Sequence, residues 1–263
     1  MKSVRVGCVK YSNARPLIRG WLGNVEFDHP SALCHRLAKG QLDVALVSSF
    51  EFLRNPIYRI VDDVSISSDG PVYSVVVAYP GEFSSIEEIE LDPASETAVS
   101  LLHCLVAELG LTARLTRGIP GSAGSAAARL VIGDQAIKFR HDHADTFQFW
   151  DLGEEWKKLT GLPFVYALWL IRPEVSDATS IAQCLRGLRD QNLGDIPAIV
   201  SEAVGDVRDD NNQVISKEFL DRYYNEHLRF GFGSREKRGL HTFADLCAKH
   251  GILPKRVREF NLV

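Results

Sequence analysis

ISSDGPVYSVVVAYP, residues Ile66 to Pro80, is the stretch around which the rest of the chain is organised. A polar, turn-forming head, Ser67, Ser68, Asp69, Gly70 and Pro71, runs into an apolar strand from Val72 to Ala78 that holds one hydroxyl, Ser74. The β-branched run Val75, Val76, Val77 is short and bounded by Gly and Pro, which predicts a buried strand rather than a helix. Gly161 to Ile171, GLPFVYALWLI, repeats the scheme with a Gly and a Pro opening a second buried strand. Two such strands predict the crossings between two α/β lobes, with lobe 1 formed by 1–79 and 172–263 and lobe 2 by 80–171. Pockets concentrate at domain interfaces, so a small ligand in the interlobe cleft is the expected cargo.

The flanking sequence alternates strands and helices, which predicts largely parallel sheets. Val4 to Val9 reads as a strand, followed by Tyr11, Ser12, Asn13, Ala14, Arg15 and then Pro16, which suits the first turn of a helix reaching Leu22. Asn13 can donate and accept. It either caps this helix or faces a ligand, and Arg15 lies either in the cleft or in solvent; spacing does not choose between them. Asp43 to Val47 is a buried strand with Ser48 and Ser49 at its carboxyl end, where open α/β sheets bind ligands. Leu91 to Thr97 turns into a helix over Ala98 to Leu109, with Ser95 or Thr97 at its cap. A helix start of this kind can hold a carboxylate or merely be capped. Glu96 stands there too and would repel an anion unless it points outward. Asp134 follows a strand over Ala128 to Gly133. Past Pro173 the chain is mostly helical, and Tyr223, Tyr224, Phe230 and Phe232 read as packing of that layer onto a sheet.

Composition excludes several functions. The chain has 263 residues, 45% of them hydrophobic, and a net charge of −4, so it buries a sizeable core and lacks the basic footprint of a nucleic-acid binder. Five scattered cysteines without a CxxC pair predict neither a disulfide framework nor a thiolate zinc site, and a reducing compartment fits them. The basic N-terminus lacks the apolar core of a signal peptide, and no long uncharged apolar run exists, so a cytoplasmic protein without a membrane span is expected. Gly118 to Ala128 lacks the ordered glycines of a nucleotide loop. RHDHAD, Arg140 to Asp145, places His141 and His143 two apart without a third ligand at a known spacing, and reads as a polar turn rather than a metal site.

Several motifs together resemble one family. Tyr11 to Leu17, Gly40 to Val47, Ser68-Asp69-Gly70-Pro71-Val72 with Ser74, Ile132-Gly133-Asp134, and above all DLGEEWKKLTGLPFVYALW from Asp151 to Trp169 resemble the chorismate dehydratases of the futalosine route to menaquinone. The resemblance implies a two-lobed fold like that of type 2 periplasmic binding proteins, with two crossover strands. It implies conversion of chorismate to 3-[(1-carboxyvinyl)oxy]benzoate and water without cofactor or metal. Asn13 and Ser74 match the positions expected to be catalytic. Ser12, Arg15, Ser48, Gly70, Ser95, Thr97 and Asp134 are the expected substrate-binding positions. No His or Glu stands out in the motif loops as a base, which leads to a substrate-assisted elimination in which a chorismate carboxylate takes the ring proton. A non-catalytic solute-binding protein for small anions and the 1,4-dihydroxy-6-naphthoate synthase of the same pathway share the architecture. Chorismate is the expected partner, and the chain is expected to be a monomer or homodimer.

Overall fold

The computed structural model describes residues 4–117, 128–205, 215–255 and 259–263; the Gly-rich stretch at 118–127 lies outside them. Ten strands form two five-stranded sheets. β1 (Val6–Val9), β2 (Val25–Asp28), β3 (Val44–Ser48) and β4 (Arg59–Ser68) belong to the first, and β5 (Val75–Tyr79), β6 (Glu88–Leu91), β7 (Arg114–Arg117), β8 (Ala128–Ile132) and β9 (Gln148–Asp151) to the second. The last strand, β10 (Phe164–Ile171), returns to the first sheet. The spatial orders are β2-β1-β3-β10-β4 and β7-β6-β8-β5-β9.

Both sheets are mixed rather than largely parallel. β1 runs parallel to β2 and β3, and β6 runs parallel to β7 and β8. β10 is antiparallel to β3 and β4, and β5 is antiparallel to β8 and β9. The direction follows from the crossings. The β/α units point their strand ends at the cleft, while a strand arriving from the other lobe enters at the cleft and runs outward. Ser48 at the end of β3 therefore pairs with Ala167 near the start of β10, and Val75 at the start of β5 pairs with Ile132 at the end of β8. Sheet membership also places β5 with the second lobe and β10 with the first, the reverse of what boundaries at 79/80 and 171/172 would give.

The polar head begins later than expected. Ser67 and Ser68 are the buried end of β4, paired with Val165 and Phe164, and the turn is confined to the residues that follow. The Ser67 backbone bonds Arg229 in both directions, at 2.9 and 2.8 Å. β5 starts at Val75, and the residue before Ser74, Tyr73, adopts φ +69, a left-handed conformation rare for a side chain of that size.

The Asp151 to Trp169 block closes the second crossing. Asp151 caps the helix Leu152–Thr160 through Gly153 N at 3.0 Å and Glu154 N at 3.1 Å. Gly161 ends it at φ +72, as a left-handed cap requires. Trp156 is fully buried, donates to Pro163 O at 3.2 Å, and meets Phe164 and Phe243 edge-on at 5.1 and 6.0 Å. The expected helix after Pro16 is only Arg15–Ile18, because Arg19 and Gly20 leave helical geometry. Four α-helices, Ala178–Leu193, Ile196–Ala203, Lys217–Arg222 and Ser234–Lys249, make up most of the C-terminal layer.

Candidate functional site

Strand ends from both sheets converge on one cleft. Val9, Ser48 and Ile66 come from the first sheet together with Tyr166 and Ala167 of β10, and Val75 and Ile132 come from the second. The empty space of the cavity, its open mouth included, is about 550 Å³. Its walls are largely apolar, with the Tyr11 and Tyr166 rings among them. None of the described residues lining it carries a formal charge.

Four of the expected site residues line this space: Asn13, Ser48, Ser74 and Ser95. Asn13 lies in the 3₁₀ turn Ser12–Ala14, and its Oδ1 is buried without a hydrogen-bond partner. Ser74 is held from both sides. Gly133 N donates to its carbonyl at 2.8 Å, and Tyr223 OH donates to its Oγ at 2.8 Å. Ser95 caps the helix Glu96–Glu108, accepting from Ala98 N at 3.3 Å. Glu96 is drawn to Arg54 at 2.8 Å and does not line the cavity.

The other five stand elsewhere. Ser12 and Asp134 bond each other: Asp134 accepts from Ser12 N at 3.1 Å and from Ser12 Oγ at 3.0 Å. Burial raises the Asp134 carboxyl above its ordinary value, and the Ser12 donors oppose that rise. Thr97 Oγ1 is buried among Ser48, Ser49 and the Phe50 amide, accepting the last at 3.1 Å. Gly70, at φ +134, accepts from Ser68 Oγ at 3.0 Å behind the cavity wall. Arg15 lines a separate outer cavity with Lys10, Arg19 and Trp21, which shares only Val9 and Tyr11 with the central one.

Two carboxylates organise the crossings without entering the cavity. Asp151 accepts from Val72 N at 3.1 Å and Tyr73 N at 2.7 Å as well as capping its own helix, so one side chain ties both crossings together. Burial raises its carboxyl, and these amides act against the rise. Asp69 is paired with Arg235 at 2.7 Å and with Lys157; these cations outweigh its partial burial and hold its pKa below the ordinary carboxylate value. His141 lies in the last turn of the helix Gly133–Asp142, and the His143 ring follows it, packed on Phe139 at 4.3 Å, so the pair sits at a helix end.

Tyr166 and Tyr223 were not among the expected site residues. Tyr223 does pack the helical layer, yet its hydroxyl reaches the cavity wall. The available signal was chemical: a buried phenol must find a partner for its hydroxyl, so a tyrosine in a core position points to a polar group nearby.

A two-lobed α/β protein with an uncharged cleft between two crossings has the fold of type 2 periplasmic binding proteins. The chain shares this fold with a protein of Archaeoglobus fulgidus, at TM-score 0.75 and 16% identity over 95% of this chain and 98% of the other. It also shares it with the alkanesulfonate-binding protein SsuA of Xanthomonas axonopodis pv. citri, at 0.70 and 16% over 97% and 95%. The chain belongs to the menaquinone biosynthesis family, which it matches over residues 4–249. It is similar to the chorismate dehydratase of Thermus thermophilus, with 28% identity over 93% of this chain and 95% of the relative. The chorismate dehydratase of Campylobacter jejuni is 28% identical over 60% of this chain and 58% of the relative.

Proposed function

We propose that the cleft binds chorismate and eliminates water from it to give 3-[(1-carboxyvinyl)oxy]benzoate. The observation that carries this reading is that a buried, unpartnered Asn13 Oδ1 and the Ser74 hydroxyl line one cavity, with no charged group among the described residues around it. Family membership and the similarity to two chorismate dehydratases support it.

The elimination removes a ring proton beside the enolpyruvyl ether oxygen and the neighbouring hydroxyl, and the ring becomes aromatic. Aromatisation supplies the driving force, leaving the protein to orient the substrate and stabilise developing charge. The enolpyruvyl carboxylate takes the proton; the carbon–oxygen bond breaks, and the hydroxyl leaves as water with that proton. Asn13 Oδ1 accepts from a donor on the substrate, and Ser74 donates to the departing oxygen. The amides at the start of the helix Glu96–Glu108, beside Ser95, suit a carboxylate through free N–H groups and the helix dipole. The ion-paired state of Asp69 and the Ser12 bonds on Asp134 support assigning the base to the substrate. A cytoplasmic location belongs to the same proposal.

The test mixes purified protein with chorismate, without added metal or cofactor, and follows the enolpyruvyl benzoate by chromatography with mass detection. Product is expected from the wild type and from Asp69→Asn, and not from Asn13→Ala. Binding without turnover would replace this reading with a solute-binding role. Neither binding nor turnover would redirect it to the substrate of the naphthoate synthase. An Asp69→Asn variant as inactive as Asn13→Ala, with its fold intact, would overturn substrate assistance.

A further inference from the structure

Tyr223 and Tyr224 open a π-helical turn, Tyr223–His227, directly after the helix Lys217–Arg222. Such turns are rare and recur at functional sites. Both rings are buried, at 0% and 2% exposure, so both hydroxyls need partners within the protein. They find them on the two segments that carry the proposed catalytic groups. Tyr224 OH donates to Ser12 O at 2.8 Å, one residue before Asn13, and Tyr223 OH donates to Ser74 Oγ at 2.8 Å.

The polarity of the second bond has a chemical consequence. Burial raises the Tyr223 phenol well above its ordinary value, so it is protonated throughout the working pH range and remains a donor. The nearby Asn13 side chain opposes that rise. A hydroxyl carries one proton and two lone pairs. With the Tyr223 proton pointing at a Ser74 lone pair, the single Ser74 proton is left for another acceptor. Ser74 lines the cavity, and no acceptor for its hydroxyl is found among the described residues. The bond therefore runs one way, from Tyr223 to Ser74, and leaves the Ser74 proton for the cleft. A hydroxyl that accepts such a bond is polarised by it, which strengthens it as a donor.

We propose that Tyr223 is a positioning residue that fixes Ser74 as a donor into the cleft. This rests on the chorismate reading above. Tyr223 touches no substrate; it acts through Ser74.

A double-mutant cycle on chorismate turnover tests it, using wild type, Tyr223→Phe, Ser74→Ala and the double variant. Tyr223→Phe is expected to lower kcat by about 10- to 100-fold while KM stays within about twofold, as for loss of a group acting in the transition state. In the Ser74→Ala background the same change is expected to alter kcat by less than about twofold, because Tyr223 then has no Ser74 hydroxyl to direct. Equal losses in both backgrounds would mean a structural role and overturn the inference, as would a Tyr223→Phe variant with wild-type kcat. Should Tyr223→Phe fail to fold, 4-methylphenylalanine at position 223 fills the hydroxyl's space without a donor, and 4-aminophenylalanine restores one. Loss with the first and recovery with the second is the expected pair, and equal activity of the two would overturn the inference. No product from the wild type would withdraw the chorismate reading together with the inference, whereas product from wild type and Tyr223→Phe alike would withdraw the inference alone.

Discussion

Two hydroxyl-rich walls border the cleft, and they differ in what their hydrogen-bonding groups are already doing. At one wall Ser48, which lines the cavity, bonds Thr97, which stands outside the lining, also bonds Ser49 and accepts the Phe50 amide, while Ser49 donates to Val165 O at 2.7 Å. On the other, Asn13 retains a buried oxygen with no partner, and Ser74 accepts from Tyr223 with its own proton unassigned. Residue type does not separate these walls, since both are built from small neutral side chains at strand ends. Hydrogen-bond accounting does. The occupied wall joins β3 to the helix Glu96–Glu108 across the lobes, and the incompletely occupied one is where a ligand has something to complete.

The sharpest way to break this contrast is to truncate one residue from each wall. Asn13→Ala is expected to lower chorismate turnover by about 100- to 1000-fold, the range for removing a preorganised polar group at a reacting centre. Ser48→Ala is expected to stay within about tenfold of wild type. Steady-state kinetics on the two variants decide it; equal losses would erase the distinction. Thr97→Val is expected to destabilise the protein by about 1 to 3 kcal/mol, because it strands the Phe50 amide and a buried serine. Denaturant unfolding should show this as a lowered midpoint, with a smaller change in kcat than Asn13→Ala produces. Ser95→Ala sharpens the comparison at the cleft's third polar corner. Loss of the cap to Ala98 N is expected to cost about 1 kcal/mol of stability, whereas Ser95→Asp keeps the cap and raises KM for a dicarboxylate by placing an anion at the mouth. A Ser95→Asp variant with unchanged KM would remove this corner from the binding surface.

The smallest expected effect concerns pH. Burial raises Asp134 and Asp151, so each is protonated more readily in the folded chain than in the unfolded one. A raised carboxyl favours the fold fully below its unfolded value, and that contribution fades as pH rises through the folded value. Asp134→Asn should therefore show a shallower decline across that window than wild type. Unfolding midpoints measured from acid to neutral pH check it, and parallel profiles would mean that Asp134 titrates alike in both states.

Much of this arrangement is legible along the chain. The Gly-Pro openings at Gly70-Pro71 and Gly161 to Pro163 mark the approaches to β5 and β10, and alternating β/α units bring Asn13 and Ser48 to strand ends. Strand direction was harder to read, because local pattern predicts that a strand forms and not from which end the chain enters the sheet. Thr97 and Ser95 illustrate the same limit within the site. Three residues span them, either suits a cap, and only one lines the cavity while the other is locked to Ser48.

By itself the sequence determined two α/β units joined by two buried crossings, polar groups at strand ends beside a cleft, and the motifs that place the chain among its relatives. These depend on near-neighbour periodicity, on Gly and Pro backbone preferences, and on residues clustered within short segments. Only the tertiary structure decided which polar groups are occupied. Ser12 meets Asp134 across 122 positions of chain, and Ser74 meets Tyr223 across 149. A hydroxyl's role depends on where its proton and lone pairs are directed, and partners that distant are chosen by the packing of whole elements rather than by anything adjacent in the chain.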